Sequence, residues 1–551
     1  MSLRTRASQG VPEETARVAR AAFPKGSMPI RIREALGPLF TDESFVALFP
    51  RRGRPALSPA VLALACVFQF AEGLSDREAA QAVRARIDWK FGLGLELTDP
   101  GFDHSVLSEF RDRLIAGGAE TQILDTVLEA AAKAGLLRAR GRQRTDSTHI
   151  LSAARDLKRL EMVGETLRAA LNALAAAAPD WLAQHADEEL FERYRRRIED
   201  YWLPKATKDR ITVGHQTGQD GMRLLEAVFA ADAEPWLRLI PAVEVLRRVW
   251  VQEFQVEEGE VRWRAPGNLP PGAKRLATPY DVEARSASKR ETEWQGWKVH
   301  LTETCDPDRP NLITHVLTTD ATVPDVHATA KVHQDLAAKE CLPGEHFVDS
   351  GYTGAQNLFA AKRDHEVDLV GPVQKTAAWQ GKDGGGFAQE DFAIDWDNKQ
   401  VACPVGKTSR SWNESSPTPT GVPTVRVWFS ITDCEPCPSR SQCTRGTGRI
   451  GRRMTFHHRG EFEALRKARA DQQTDEWRQR YHARAGVEGT IAQAVHGRDM
   501  RRARYHGLAK THLQHQLTAA AINLARVDAW LTEIPRAKTR ASHLRRLELA
   551  A

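Results

Sequence analysis

The chain has 551 residues, 41% of them hydrophobic and 27% charged, with a formal net charge of +6. Such a length exceeds one compact core and implies roughly three or four modules. No run of 18 apolar residues is present, and the opening MSLRTRASQGVPEETARVAR carries charge without an apolar stretch. Neither membrane insertion nor secretion is therefore expected, and the reading is a cytoplasmic protein.

Residues 1–55 read as a basic N-terminal arm that ends in RRGRP at 51–55. Ser58 and Pro59 then open a helix as N-cap and first-turn proline, with Val61, Leu62, Leu64, Val67 and Phe68 as its apolar body. Gly73 suits a left-handed C-cap, and Ser75 with Glu78 spells a capping box for a second helix. HSVLSEFRDRL supplies a third, so residues 56–118 form either a helix-turn-helix-like DNA-binding domain or a plain three-helix bundle. RQRTDSTHI at 142–150 places Asp146 after a short extended run, and residues 151–276 read as a mainly helical insertion.

Strand signals return with Trp297, Val299 and Leu301 in alternation, then with LITHVLTT, with HFVDSGYTG at 346–354, and with VDLVGPV at 367–373. Asp349 stands where an apolar strand stops, the place where open α/β sheets carry their chemistry. Residues 376–455 turn Gly-, Ser- and Pro-rich and hold a cluster of cysteines. From Trp477 the chain is helical again, with Leu513, Leu517, Ala520 and Leu524 as a packed stripe, before a C-terminal tail at 531–551. Eight Lys or Arg against two acids fill 478–510, which fits either a solvated helix face or phosphate binding. On that stretch Tyr481, Arg484 and Glu488 fall at i, i+3 and i+7 and would share one face of a helix.

Asp146, Asp349 and Glu488 are too far apart in sequence for a local role and would have to meet through the fold. The segments TDS, VDSGYTG, Y-x-x-R-x-x-x-E and MRRARYHGLAKTHLQHQLTAAAINLARV, in that order, resemble bacterial insertion-sequence transposases of the DDE type, in particular the insertion sequence 1182 branch. The likeness covers residues 51–150 and 277–530. It implies an α/β catalytic core of RNase H-like type, a mixed sheet flanked by helices, built from 119–150, 277–375 and 456–530, in which Asp146, Asp349 and Glu488 hold Mg²⁺ or Mn²⁺. It further implies a DNA transposase acting on double-stranded element ends and target DNA, as a homodimer in the DNA complex and associated with the nucleoid. The rivals are a metal-dependent nuclease of the same fold without strand transfer, and a non-catalytic DNA-binding regulator that would have lost an acid. One departure is visible: relatives carry Lys or Arg seven residues after the glutamate, where this chain has Val495, leaving Arg498 or Arg501 to meet the phosphate.

Carboxylates suit this chemistry because oxygen ligands select Mg²⁺ or Mn²⁺, and a pair of such ions about 3.5–4 Å apart serves attacking and leaving oxygens alike. Arg484 is expected to orient Glu488 or grip the scissile phosphate, with Tyr481 beside it. Arg498, Arg501, Arg502, Arg504 and Lys510 are expected to contact DNA phosphates. Asp320 reads as a helix N-cap and His149 as a strand-end residue. Cys403, Cys434, Cys437 and Cys443, spaced C-x30-C-x2-C-x5-C, point to a structural Zn²⁺ that pins the insertion, with independent reduced thiols as the alternative; Cys66, Cys305 and Cys341 are scattered.

Overall fold

Trp297, Val299 and Leu301 are all fully buried, as their alternation requires of a strand with one face on the core. They belong to the central six-stranded sheet of a computed structural model. It describes residues 2–535 except 6–9, 156, 290, 375–378, 383–385, 416–421 and 446–450. The sheet comprises β1 (Arg140–Leu151), β2 (Arg285–Lys289), β3 (Thr292–Thr304), β4 (Ile313–Asp320), β5 (Pro343–Val348) and β6 (Asp368–Val370). In space the order is β4-β3-β1-β5-β6, with β2 hairpinned onto the first residues of β3. β1, β3 and β4 pair antiparallel, whereas β5 runs parallel to β1 and β6 parallel to β5. The fold is thus mixed α/β, a mixed sheet flanked by helices.

The N-terminal helices follow their local signals closely. Ser58 accepts from the Val61 N–H at 3.3 Å and starts the helix Pro59–Glu72; Gly73 closes it in the left-handed region at φ 72°. The Ser75–Glu78 capping box opens Asp76–Ala85, and the two helices bend by 112° at the turn between them. Together they pass a length-and-composition test for a broken membrane span, although no single described helix does. Their apolar residues are buried against protein: the same core holds Phe68 and Val83 with Val299, Val316 and Leu517. The C-terminal helix Leu508–Leu531 joins the two regions by packing on β4 and on Pro59–Glu72, with Leu513, Leu517, Ala520 and Leu524 buried.

Two expectations are corrected here. The segment before residue 56 is not a free arm: helices Glu13–Ala22 and Met28–Leu36 and the 3-10 turn Asp42–Leu48 pack inward, because Ile30, Ile32, Phe40 and Phe45 have apolar surface to bury. The exposed residues Arg51, Arg52 and Arg54 retain the character of a basic arm. A further short helix, Ile87–Leu93, intervenes before Ser105–Ala116, so the region is more than three helices. The exposed positions of Ser105–Ala116 include Ser105, Ser108, Glu109 and Asp112, and Lys510 pairs with Asp112 at 2.8 Å.

Residues between β1 and β2 build a separate apolar cluster from the helices Arg159–Ala177, Thr207–Phe229 and Pro241–Glu253, around Leu167, Leu224 and Trp250. Between β6 and the helix Arg459–Asp471, a three-stranded sheet and a two-stranded hairpin enclose a small cluster of Phe392, Val401, Val427 and Phe429. Of the expected C-terminal tail, residues 536–551 lie outside the described residues.

Candidate active site

Side chains alternate along β1, and the two faces do different work. Thr145 turns to one side, where its hydroxyl bonds Thr302 Oγ1 and His346 Nε2, each at 2.6 Å. Arg144 and Asp146 serve the other. Because Thr145 pairs with Val348 in the parallel β1–β5 ladder, the next residues, Asp146 and Asp349, come abreast as β5 ends. Neighbouring strands lie about 4.8 Å apart, so two carboxylates are set side by side by register alone. The electrostatics agree. Burial raises the Asp146 pKa, Arg484 and the Ser147 N–H pull it down, and the charge of Asp349 adds to the rise.

Glu488 reaches the same place from a helix. Expected to share one continuous helix, Tyr481, Arg484 and Glu488 instead occupy three elements: Tyr481 ends Asp475–Tyr481, Arg484 lies in the 3-10 turn His482–Gly486, and Glu488 opens Val487–Gly497. Arg144 accounts for the break. Its guanidinium donates to the Ala483 carbonyl at 2.6 Å and lies against Gly486, so the turn wraps around it. Arg484 then donates to Asp146 Oδ2 at 2.5 Å and to Glu488 Oε1 at 3.1 Å. Its side chain and that of Asp146 are 15% and 16% exposed, while Glu488 is open at 69%.

One guanidinium therefore bridges two of the three acids. Burial lowers the Arg484 pKa, but Asp146, Tyr481, Asp349 and Glu488 outweigh it and leave the pKa raised. Tyr481 stacks on Trp477 at 4.7 Å and donates to the Val348 carbonyl at 3.3 Å. Burial pushes its phenol up to about 12, opposed by Arg484 and reinforced by Asp349, Asp146 and Glu488. Among the described residues no three His, Cys, Asp or Glu side chains already stand together as a metal-holding group. Here a cation, Arg484, occupies the space between carboxylates, as mutual repulsion between uncompensated acids demands. The donor set fits a hard divalent ion: carboxylate oxygens only, with the buried Arg484 Nε lacking a hydrogen-bond partner among the described residues.

The expected basic helix stops short. Val487–Gly497 ends before Arg498, and residues 498–507 are irregular. Arg501 donates to Thr148 Oγ1 at 3.1 Å and to the His149 carbonyl, and its backbone bonds Leu151, tying this segment to the end of β1. Arg504 donates to the Leu74 carbonyl at 3.2 Å and covers the Phe70 ring, while Arg498 is half-buried. Arg502 is exposed, with one long contact to the Ser152 carbonyl at 3.5 Å. Val495 is buried, so a cation at that position would be driven into the core. Asp320 accepts from the Thr322 N–H at 2.7 Å in a turn and caps no helix. His149 packs at 5.3 Å against Trp294; burial, then Arg501 and Lys289, lowers its pKa.

Several positioning residues escaped the sequence reading. Glu303, wholly buried on β3 opposite Arg144, bonds Arg144 at 2.7 Å, Arg526 at 2.7 Å and the Thr490 hydroxyl at 2.6 Å. It thereby fastens the Glu488 helix to the sheet. The signal available was a glutamate inside an apolar strand. Lys298 meets Asp325 at 3.0 Å, and a Cβ on Gly351 would lie 3.2 Å from Asp325 Oδ2, so a further carboxylate borders the loop after Asp349.

Residues 402–527 match the family model of a transposase DDE domain, and residues 17–113 match that of a transposase domain, DUF772. Glu488 falls within the first match; Asp146 and Asp349 lie outside both. No curated protein and no solved structure matches the chain. The two family matches support a bacterial insertion-sequence transposase.

Proposed function

We propose that this chain is a DDE transposase with an RNase H-like core, which cuts phosphodiester bonds at element ends and joins the freed 3′-hydroxyl to target DNA. Assignment to the insertion sequence 1182 branch rests on the sequence resemblance. The observation that carries the catalytic reading is the Arg484 guanidinium bonded to both Asp146 and Glu488, with Asp349 abreast of Asp146 by strand register. Asp146, Asp349 and Glu488 would hold Mg²⁺ or Mn²⁺. Such an ion, when bound, neutralises nonbridging phosphate oxygens and stabilises the leaving oxygen.

The rest falls to the chain's own groups. Arg484 holds Asp146 and Glu488 in place until DNA arrives. Tyr481, locked by stacking on Trp477, stays protonated and walls the site beside Val348. Arg502, exposed near the end of β1, is the best placed of the predicted arginines to meet DNA backbone, and exposed Lys289, 4.0 Å from Asp325, adds a charge that bears on Asp146. Double-stranded DNA as partner, and a homodimer in the DNA complex, belong to this reading.

Asp349→Asn tests it. The change removes a ligand charge without touching the basic surface, so nicking of element-end DNA should fall at least 100-fold while gel-shift affinity stays within about threefold. Loss of binding together with cleavage would make Asp349 a structural residue and defeat the proposal. Persistent nicking without joined product would favour the nuclease alternative.

A further inference from the structure

The segment that separates Asp349 from Glu488 contains a second constellation with a different chemistry. Cys403, Cys434, Cys437 and Cys443 are spread over 41 positions of sequence, yet all four line one cavity of about 30 Å³, together with Phe392 and Phe429. All four are unpaired thiols, and all are partly buried. Four thiols around so small a space suit a single soft metal ion.

The backbone around the thiols is shaped for sulfur. At Cys403 the chain reverses tightly: the Gly406 N–H donates to the Cys403 carbonyl and the Cys403 N–H to Lys407 O, both at 2.8 Å, and the Lys407 N–H donates to Cys403 Sγ at 3.3 Å. Cys434 and Cys437 flank a single turn in which the Cys437 N–H reaches the Cys434 carbonyl at 3.4 Å. Gly451 passes so close to this turn that a Cβ there would lie 2.7 Å from Cys434 Sγ. Cys443 ends a second turn whose carbonyl is held by Gln380 at 3.0 Å and by Arg452, a cation that also borders the cavity.

We propose that these four cysteines bind one Zn²⁺, which fastens the small sheet and hairpin of residues 387–456 into a fixed unit. Four thiolates form a tetrahedral soft-ligand site with Zn–S near 2.3 Å, and a two-residue spacing such as that between Cys434 and Cys437 suits one half of it. The thiols share the cavity without converging into a metal-holding group among the described residues, so binding closes the site by side-chain rotation. Each coordinated thiol gives its proton to solvent, and Arg452 offsets part of the resulting negative charge. This inference stands apart from the transposase reading, because the measurement needs neither DNA nor activity.

The full chain, purified reduced and without chelator, should contain about one zinc per chain by elemental analysis. Titration with an organomercurial should release that zinc to a colorimetric chelator as four thiols are blocked. Cys434→Ser with Cys437→Ser should reduce zinc at least tenfold, whereas Cys341→Ser should retain it. Absence of zinc, with all four thiols reacting at once with a thiol reagent, overturns the proposal, as does stoichiometric iron in place of zinc. Should the double variant fail to fold, the titration of the unaltered chain decides by itself.

Discussion

Gly486 lies directly against Arg144: a Cβ built on Gly486 would stand 2.1 Å from Arg144 Nη1 and 2.5 Å from Arg144 Cζ. The far end of an arginine usually swings aside, but this one is pinned by Glu303 at 2.7 Å and by the Ala483 carbonyl at 2.6 Å. Close approach, and not backbone freedom, therefore demands glycine here. Gly486→Ala should destabilise the chain by about 1–3 kcal/mol through overpacking, and should move the turn that carries Arg484. Urea unfolding and a nicking assay on one preparation check this. An alanine variant with wild-type stability and cleavage would mean that the turn does not depend on the Arg144 contact.

The predicted phosphate-binding arginines separate by structural role. Arg501 bonds Thr148 and His149, whereas Arg502 is exposed and nearly unengaged. Replacing Arg502 by Ala should flatten the slope of log affinity against log salt by about one unit, as expected when one phosphate contact and its counterion release are lost. Arg501→Ala should leave the slope unchanged and lower stability instead. Equal slopes for both variants and the parent would move the DNA path away from this segment.

Acid stability provides a test of the core. His346 on β5 bonds His333 at 2.8 Å, and His515 on the C-terminal helix bonds Thr318 at 2.8 Å. Burial lowers His333 and His512 to about 4 and His515 to about 3, and holds His346 well below 6.5. Secondary influences are His365 on His333, and His315, Lys339 and Asp335 on His512. Between about 6.5 and 4 the unfolded chain binds protons that the folded chain refuses, so stability falls as pH falls through that window. Asp335 opposes none of this: despite burial, its hydrogen bonds to His315 and Lys331 lower it to about 2, so its contribution persists until a lower pH. Urea midpoints should be lower at pH 5 than at pH 7.5, and His346→Gln should weaken the difference. A pH-independent midpoint across that range would contradict the buried neutral histidines.

The elements legible in the sequence are those whose causes are local. The Ser58 cap, the Ser75–Glu78 capping box, Gly73 and the alternation of Trp297, Val299 and Leu301 each need only a few neighbouring residues to act, so their signatures survive in a linear reading. Asp349 was legible as a strand-end residue for the same reason, whereas Asp146, expected after a short extended run, sits inside β1, which continues to Leu151. What the tertiary structure alone decided is which groups meet. The β1–β5 register sets Asp146 beside Asp349; the buried Glu303, through Thr490, holds the Glu488 helix to the sheet; and Arg144 breaks that helix at Gly486. These depend on pairings between residues more than a hundred positions apart, whose energies come from desolvated charges that tolerate no missing partner, and no local pattern encodes where the partner lies. The same holds for the arginines after Gly497. Composition told of their charge, but only packing against β1 decided that Arg501 is spent on the Thr148 hydroxyl and the His149 carbonyl while Arg502 is left facing solvent.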